Sequence, residues 1–198
     1  MFGQYKIVFV GEAGVGKTSI IIRYVKDSFS TIVESTIGAS FFIKMMTIND
    51  KAYKLDIWDT AGQERYHSLI PMYYRASNAV IIVYDVMNYK SFEQSKYWVT
   101  TIRHLEQFSD LIICLIGNKI DLKNKTREVP TELAQQYAKE QQLVLFEMSA
   151  KTGENVREFF DFLCHELIKM DEIIDNQKSE LSIDSMKLKT EKTSCHCH

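Results

Sequence analysis

The chain has 198 residues and a mass of 23.0 kDa, room for one globular domain and a short tail at roughly 150 residues per domain, so a multidomain enzyme is excluded. Its 45% hydrophobic and 25% charged residues suit an ordinary soluble domain that buries a core without disulfide staples. With 24 Lys and Arg against 26 Asp and Glu, a net charge of −2, it lacks the basic excess with which a nucleic-acid surface neutralises phosphates.

Strand-like runs alternate with helical patterns along the chain. Tyr5 to Val10 reads as the first strand and Lys17 to Lys26 as the first helix. Phe41 to Ile48 and Tyr53 to Trp58 flank Asn49 and Asp50, the signature of a hairpin. Further strands are expected at Ala79 to Tyr84, Leu111 to Ile116 and Leu143 to Phe146. Helices are expected at Ser91 to Phe108 and Thr131 to Glu140, capped by Ser91 and Thr131, and at Asn155 to Lys169. The alternation predicts an α/β fold: a six-stranded, mostly parallel sheet with one antiparallel edge strand and helices on both faces.

Residues 1–170 form the expected domain, with 20 basic and 20 acidic residues. From Asp171 the last 28 residues hold no Gly, Pro or aromatic residue, and their four lysines and six acidic residues do not make a polybasic membrane patch. Residues 171–198 read as a flexible tail. The longest apolar runs are six residues, Ala79 to Tyr84 and Leu111 to Ile116, against roughly 20 for a membrane-spanning helix. Four irregularly spaced cysteines and a strand-like start predict a reducing, cytosolic compartment, with Cys114 and Cys164 buried and inert.

Gly11-Glu12-Ala13-Gly14-Val15-Gly16-Lys17-Thr18 matches GxxxxGK[ST] between a strand and a helix, the context in which backbone N–H groups and a helix N-terminus cradle phosphates. Lys17 adds a mobile charge, and the Thr18 hydroxyl can hold Mg²⁺. Asn118-Lys119-Ile120-Asp121 follows one strand and Ser149-Ala150-Lys151 the next. The Asp121 carboxylate can accept from both N1–H and the 2-amino group of guanine, a donor pair adenine lacks. Asp59-Thr60-Ala61-Gly62-Gln63 ends the third strand. There Asp59 can reach the water shell of Mg²⁺, the Gly62 N–H a γ-phosphate, and Gln63 an attacking water. Met45, Met46, Trp58, Tyr73 and Phe92 read as core or surface packing rather than a cofactor box.

With these motifs in this order, together with Thr36 and Trp58-Asp59-Thr60-Ala61-Gly62-Gln63-Glu64, residues 5 to 170 resemble a small GTPase of the Ras superfamily with the P-loop NTPase fold. Lys54 to Trp58, Arg65-Tyr66 and Tyr73-Tyr74-Arg75 are similar to the Rab family. The run Arg65 to Arg75, with Ile37-Gly38-Ala39-Ser40-Phe41 before it, is most similar to the family's endocytic branch. Ser40 and Ala76-Ser77 depart from the common Rab pattern, and Ala13 occupies a position where Rabs carry a small side chain.

The resemblance implies a GTP-hydrolysing switch in vesicular, endosomal traffic, with GTP or GDP and Mg²⁺ as cofactors. Gly14, Val15, Gly16, Lys17, Thr18 and Ser19 would hold phosphate, and Thr18, Thr36 and Asp59 the metal. Phe29 would lie across the guanine edge, with Asn118, Lys119, Asp121, Ser149, Ala150 and Lys151 around the base. Thr36 lies in the first switch segment, residues near 60 to 77 form the second, and effectors read both. Expected partners are guanine nucleotide, an exchange factor, a GTPase-activating protein, a GDP-dissociation inhibitor or escort protein, and effectors, but no nucleic acid. No internal arginine finger is evident. A nucleotide-binding module that barely hydrolyses and a translation or assembly GTPase acting on RNA are the rival functions. Gly62 and Gln63 argue against the first, and the neutral domain against the second.

Cys195-His196-Cys197-His198 leaves three readings open: a lipid-attachment site, a metal ligand set, or an inert end. Rab tails are similar in carrying two terminal cysteines that receive geranylgeranyl groups, although His198 follows the second here. The resemblance implies prenyl groups on Cys195 and Cys197 that hold the protein on the cytoplasmic face of endosomal or other intracellular membranes, cycling with the cytosol.

Overall fold

A computed structural model describes residues 3–32, 34–62, 70–104, 111–122 and 127–173. Strand β1 (Gly3–Val10) leads through the phosphate-loop motif into α1 (Lys17–Lys26), followed by β2 (Ala39–Ile48) and β3 (Lys51–Thr60). A short helix α2 (Ile70–Tyr74), β4 (Ala79–Asp85), α3 (Tyr89–Arg103), β5 (Ile112–Asn118), α4 (Thr131–Glu140) and β6 (Val144–Met148) follow. A last helix, α5, runs over residues 156–173. It continues past Asp171, where the sequence predicts the tail to begin, and the Tyr5 hydroxyl donates to the Asp171 carboxylate at 2.7 Å.

The sheet has six strands in the order β2-β3-β1-β4-β5-β6. All neighbours are parallel except β2 and β3, which pair antiparallel from Ala39 opposite Thr60 to Ile48 opposite Lys51. Their two-residue turn places both Asn49 (φ 49°) and Asp50 (φ 61°) in the left-handed region, the backbone of a turn whose twist matches the strands it joins. The expected α/β fold with one antiparallel edge strand is therefore present.

Burial explains the strand compositions. All of β4 except its last residue is buried, as its unbroken Ala-Val-Ile-Ile-Val-Tyr run requires when helices cover both faces. β2 alternates partly buried and exposed positions, as an edge strand with one solvated face does. One core lies between β1, β3 and β4 and helices α1 and α5, centred on Ile7, Phe9, Ile20, Phe159, Phe160 and Leu163. The other lies on the opposite face with Val8, Val80, Ile82, Phe92, Trp98 and Leu115. Met46 packs against the first core and Phe92 lies in the second, as expected, while Met45 is exposed. Cys114 and Cys164 are buried, and burial pushes both thiols up to about 12, as expected of inert cysteines.

Helix starts depart from the sequence reading. Ser91 is not the cap of α3; Asn88 is, accepting from the Ser91 N–H at 3.2 Å. Ser91 is buried and spends its hydroxyl on the Asn88 carbonyl and the Asp85 N–H, because an unpaired buried hydroxyl is costly. Thr131 is likewise the first helical residue after Pro130 rather than a cap, and its hydroxyl donates to Glu147 at 3.2 Å. α3 ends at Arg103, and the predicted extension to Phe108 falls mostly on residues 105–110, outside the described residues. The one-turn helix α2 was not expected.

Phe160 joins α5 to the first core: it is fully buried, and its ring stacks on Tyr24 of α1 with centroids 3.6 Å apart. Phe160→Ala will lower the free energy of unfolding by about 3–5 kcal/mol. A shift of the urea midpoint with unchanged slope will show it.

Candidate functional site

The loops after β1, β3, β5 and β6 meet at the carboxyl ends of the parallel strands, where ligands of open α/β sheets bind. There a pocket of about 350 Å³ is lined by Gly14, Gly16, Lys17, Thr18, Ser19, Phe29, Thr36, Gly62, Asn118, Lys119, Asp121, Ala150 and Lys151 among others. Thirteen predicted site residues thus converge on one cavity. Val15, Asp59 and Ser149 stand behind the lining, and Gln63 lies outside the described residues, as do Cys195 and Cys197.

At the phosphate end, Gly14 (φ 78°) and Gly16 (φ 98°) hold left-handed backbone, and a Cβ on Gly16 would stand 2.2 Å from the Asn118 carboxamide nitrogen. Only glycine serves at that position. Lys17 is nine-tenths buried, and its ammonium donates to the carbonyls of Gly11 at 2.9 Å and Glu12 at 2.8 Å. Burial pushes its pKa down to about 8, against the pull of Asp59 and Glu12. Anionic oxygen in the pocket would raise it again by favouring the charged form.

Beside it, Thr18 Oγ1 donates to Asp59 Oδ2 at 2.6 Å, and Thr36 Oγ1 lies 3.2 Å from that oxygen and 3.1 Å from Thr18 Oγ1. Asp59 is fully buried, and its Oδ1 has no hydrogen-bond partner among the described residues. Burial raises its pKa, opposed by the Thr18 hydroxyl, the Lys17 charge and Thr36. An incompletely paired buried carboxylate beside two hydroxyls is a hard-oxygen donor set that fits Mg²⁺. Among the described residues no group of three or more His, Cys, Asp or Glu forms a metal cage.

The base end is a network rather than a row of contacts. Asn118 donates from Nδ2 to the Val15 carbonyl at 2.8 Å and accepts at Oδ1 from the Ala150 N–H at 3.1 Å. It thereby ties three loops together. Lys119, at φ 75°, donates to the Gly14 carbonyl at 2.8 Å and pairs with Asp85 at 2.6 Å. Ser149 is fully buried and donates to Asp121 Oδ1 at 2.6 Å, so it orients the carboxylate from behind. Asp121 faces the pocket with the Lys151 ammonium 3.8 Å from its other oxygen.

Sequence reasoning missed Ser30, Thr31, Glu34, Ser35 and Leu122 in the lining, Asp85 as the partner of Lys119, and Arg23. The Arg23 guanidinium reaches the carbonyls of Ala150 at 3.0 Å and Lys151 at 2.8 Å. Only Asp85 carried a signal, as an acidic residue ending an otherwise apolar strand.

A family model described as "Ras family" matches residues 6–169. The chain is 42% identical to the GTP-binding protein YPT52 of Saccharomyces cerevisiae, over 90% of this chain and 88% of that protein. It is 48% identical to Ras-related protein Rab-5A of Dictyostelium discoideum, over 84% and 82% of the two chains. It is 50% identical to Ras-related protein RABF2b of Arabidopsis thaliana, over 78% and 76%.

Asp121→Asn replaces a double acceptor with a group that donates once and accepts once, which suits the 2-oxo group of xanthine better than the 2-amino group of guanine. Nucleotide competition will show preference moving from GTP to XTP; unchanged preference would disprove the base-binding role.

Proposed function

The chain belongs to the Ras family, and from that premise we propose how its pocket works as a molecular switch. It is a small GTPase that hydrolyses GTP to GDP and phosphate and regulates vesicular, endosomal membrane traffic. The single observation that carries the reading is the convergence of the phosphate loop, the Thr18, Thr36 and Asp59 oxygens and the Asn118-to-Asp121 base loop on one pocket.

Guanine binds between Phe29, Lys119 and the Ala150–Lys151 loop, with Asp121 accepting its two donors, while the phosphates take the backbone N–H groups from Gly14 to Ser19 and the Lys17 ammonium. Thr18, Thr36 and Asp59 would hold Mg²⁺, which when bound would supply positive charge to offset that of the phosphates. Gln63 orients a water for in-line attack on the γ-phosphorus. The new P–O bond forms as the bond to the β–γ bridging oxygen breaks, releasing GDP and inorganic phosphate. Thr36 and Gly62 sense the γ-phosphate, so its loss frees both segments and ends effector binding. Hydrolysis without a partner is slow, and an arginine supplied in trans accelerates this class about 10⁵-fold, roughly 7 kcal/mol of barrier.

An exchange factor, a GTPase-activating protein, a GDP-dissociation inhibitor or escort protein and effectors complete the cycle. Among the described residues no helix is long and apolar enough to cross a membrane. Membrane attachment is assigned to prenyl groups on Cys195 and Cys197. Each buried CH₂ contributes about 0.8 kcal/mol and one short chain anchors only reversibly, so two chains hold a tail that lacks a basic patch.

Gln63→Leu keeps the binding contacts and removes the water-orienting amide. Single-turnover phosphate release will fall on the order of 10²-fold with GDP affinity unchanged, and release at the parent rate would refute the role. Replacing Cys195 and Cys197 together by Ser will move the protein to the soluble fraction with GTP binding intact. Two unmodified thiols on the membrane-bound pool, read by intact-mass spectrometry of the unsubstituted protein from its own cells, would overturn the assignment.

A further inference from the structure

Arg23 lies outside the pocket lining, six residues after Lys17 on the helix that begins at the phosphate loop. Its side chain is only 17% exposed, unusual for a surface helix position. Nε donates to the Ala150 carbonyl and one terminal nitrogen to the Lys151 carbonyl, at 3.0 and 2.8 Å. The other terminal nitrogen pairs with Asp27 at 3.1 Å. The stem passes Gly153, whose φ of 86° suits glycine and where a Cβ would stand 3.6 Å from Arg23 Cδ, in ordinary van der Waals contact.

The Ala150 peptide groups are thus fixed from two sides, the N–H on Asn118 and the carbonyl on Arg23. Among the described residues every peptide bond is trans, so the Lys151 N–H points opposite to the Ala150 carbonyl, away from α1. Ala150 and Lys151 line the pocket and Arg23 does not. A planar guanidinium that draws two successive carbonyls toward α1 therefore turns the loop's other face to the ligand. A lysine offers a point charge with no fork and cannot hold both carbonyls in that plane.

We propose that Arg23 is a positioning residue for guanine recognition: its fork locks the Ser149–Lys151 loop, whose Ser149 hydroxyl holds Asp121, to the helix that carries the phosphate loop, so that the Asp121 carboxylate stays aimed at the 2-amino group of the base. The proposal rests on the reading that Asp121 and this loop bind guanine. Asp27 is not part of the device. Its carboxylate is 93% exposed, and an exposed helical ion pair contributes little.

The test measures release of GDP and of inosine diphosphate, which lacks the 2-amino group, from full-length Arg23→Lys, Arg23→Gln and Asp27→Asn proteins. Both Arg23 variants will release GDP on the order of 10-fold faster and inosine diphosphate less so, shrinking the parent's discrimination between them. Asp27→Asn, whose amide tolerates left-handed backbone, will match the parent. Equal acceleration for both nucleotides would make Arg23 a merely structural residue and overturn the proposal, as would parent-like release from Arg23→Lys. Arg23→Lys keeps a cation on a similar stem and carries the test if Arg23→Gln fails to fold. An Asp121→Asn control separates the two levels: no gain of preference for xanthosine diphosphate would bring down the base-binding reading itself, whereas a gain with unchanged Arg23 variants would bring down only this proposal.

Discussion

One buried carboxamide fixes the geometry on which the site depends. Asn118 is 1% exposed, and a carboxamide so deep is tolerated only when its polar atoms are paired. Nδ2 is committed to the Val15 carbonyl and Oδ1 to the Ala150 N–H, so the end of β5 holds the phosphate loop on one side and the base loop on the other. Other constraints descend from this one. Gly16 has no room for a side chain because the Asn118 nitrogen occupies that space. Lys119, the next residue, takes left-handed backbone and spans from Asp85 to the Gly14 carbonyl. Asn118 and Arg23 then hold the same loop from opposite directions.

The phosphate end follows a different logic. A lysine buried among carbonyls and an aspartate whose buried Oδ1 has no partner among the described residues are each costly in water-free surroundings. Both costs are offset by the charges a nucleotide and its metal would bring, so binding energy at this end is drawn from groups left incompletely satisfied. The segments around Thr36 and Gly62 are joined to each other as well as to the pocket. The Ala61 N–H donates to the Gly38 carbonyl at 2.8 Å, directly after the last β2–β3 pair, Ala39 opposite Thr60. A ligand that draws in one segment therefore pulls on the other through an existing hydrogen bond.

What the sequence made legible were local patterns. The phosphate loop carries its chemistry in eight consecutive residues, and Asn49-Asp50 between alternating strands specifies its own turn. Where the reading failed, the deciding partner was distant in sequence or the element too short. Ser91 has the right chemistry for a cap, but burial beside Asp85 claimed its hydroxyl and the cap passed to Asn88. The five residues of α2 are too few to display a helical period. Arg23 reads as an ordinary cation on a polar helix face, and only the fold brings it to carbonyls more than 120 positions away. Ser149 was expected at the base but stands behind it, because a hydroxyl in a motif does not reveal which of its neighbours it serves.

The burial gradient across the sheet places rigidity and mobility where a switch needs them. β4 and the end of β5 are packed from both sides, and the Asp85–Lys119 pair and the Asn118 tie hang from those strands. The hairpin of β2 and β3 ends at the sheet edge, where Phe41, Ile43 and Met45 are each about half exposed. Phe41 meets Trp58 at 5.2 Å between ring centroids, and Trp58 meets Tyr73 at 5.7 Å. Elements with little burial open at low free energy, so rearrangement is cheapest at the hairpin end and dearest at the base. A pocket that must hold guanine through both nucleotide states while registering the loss of a single phosphate needs that asymmetry. It follows from which strands lie at the centre of the sheet and which at its edge.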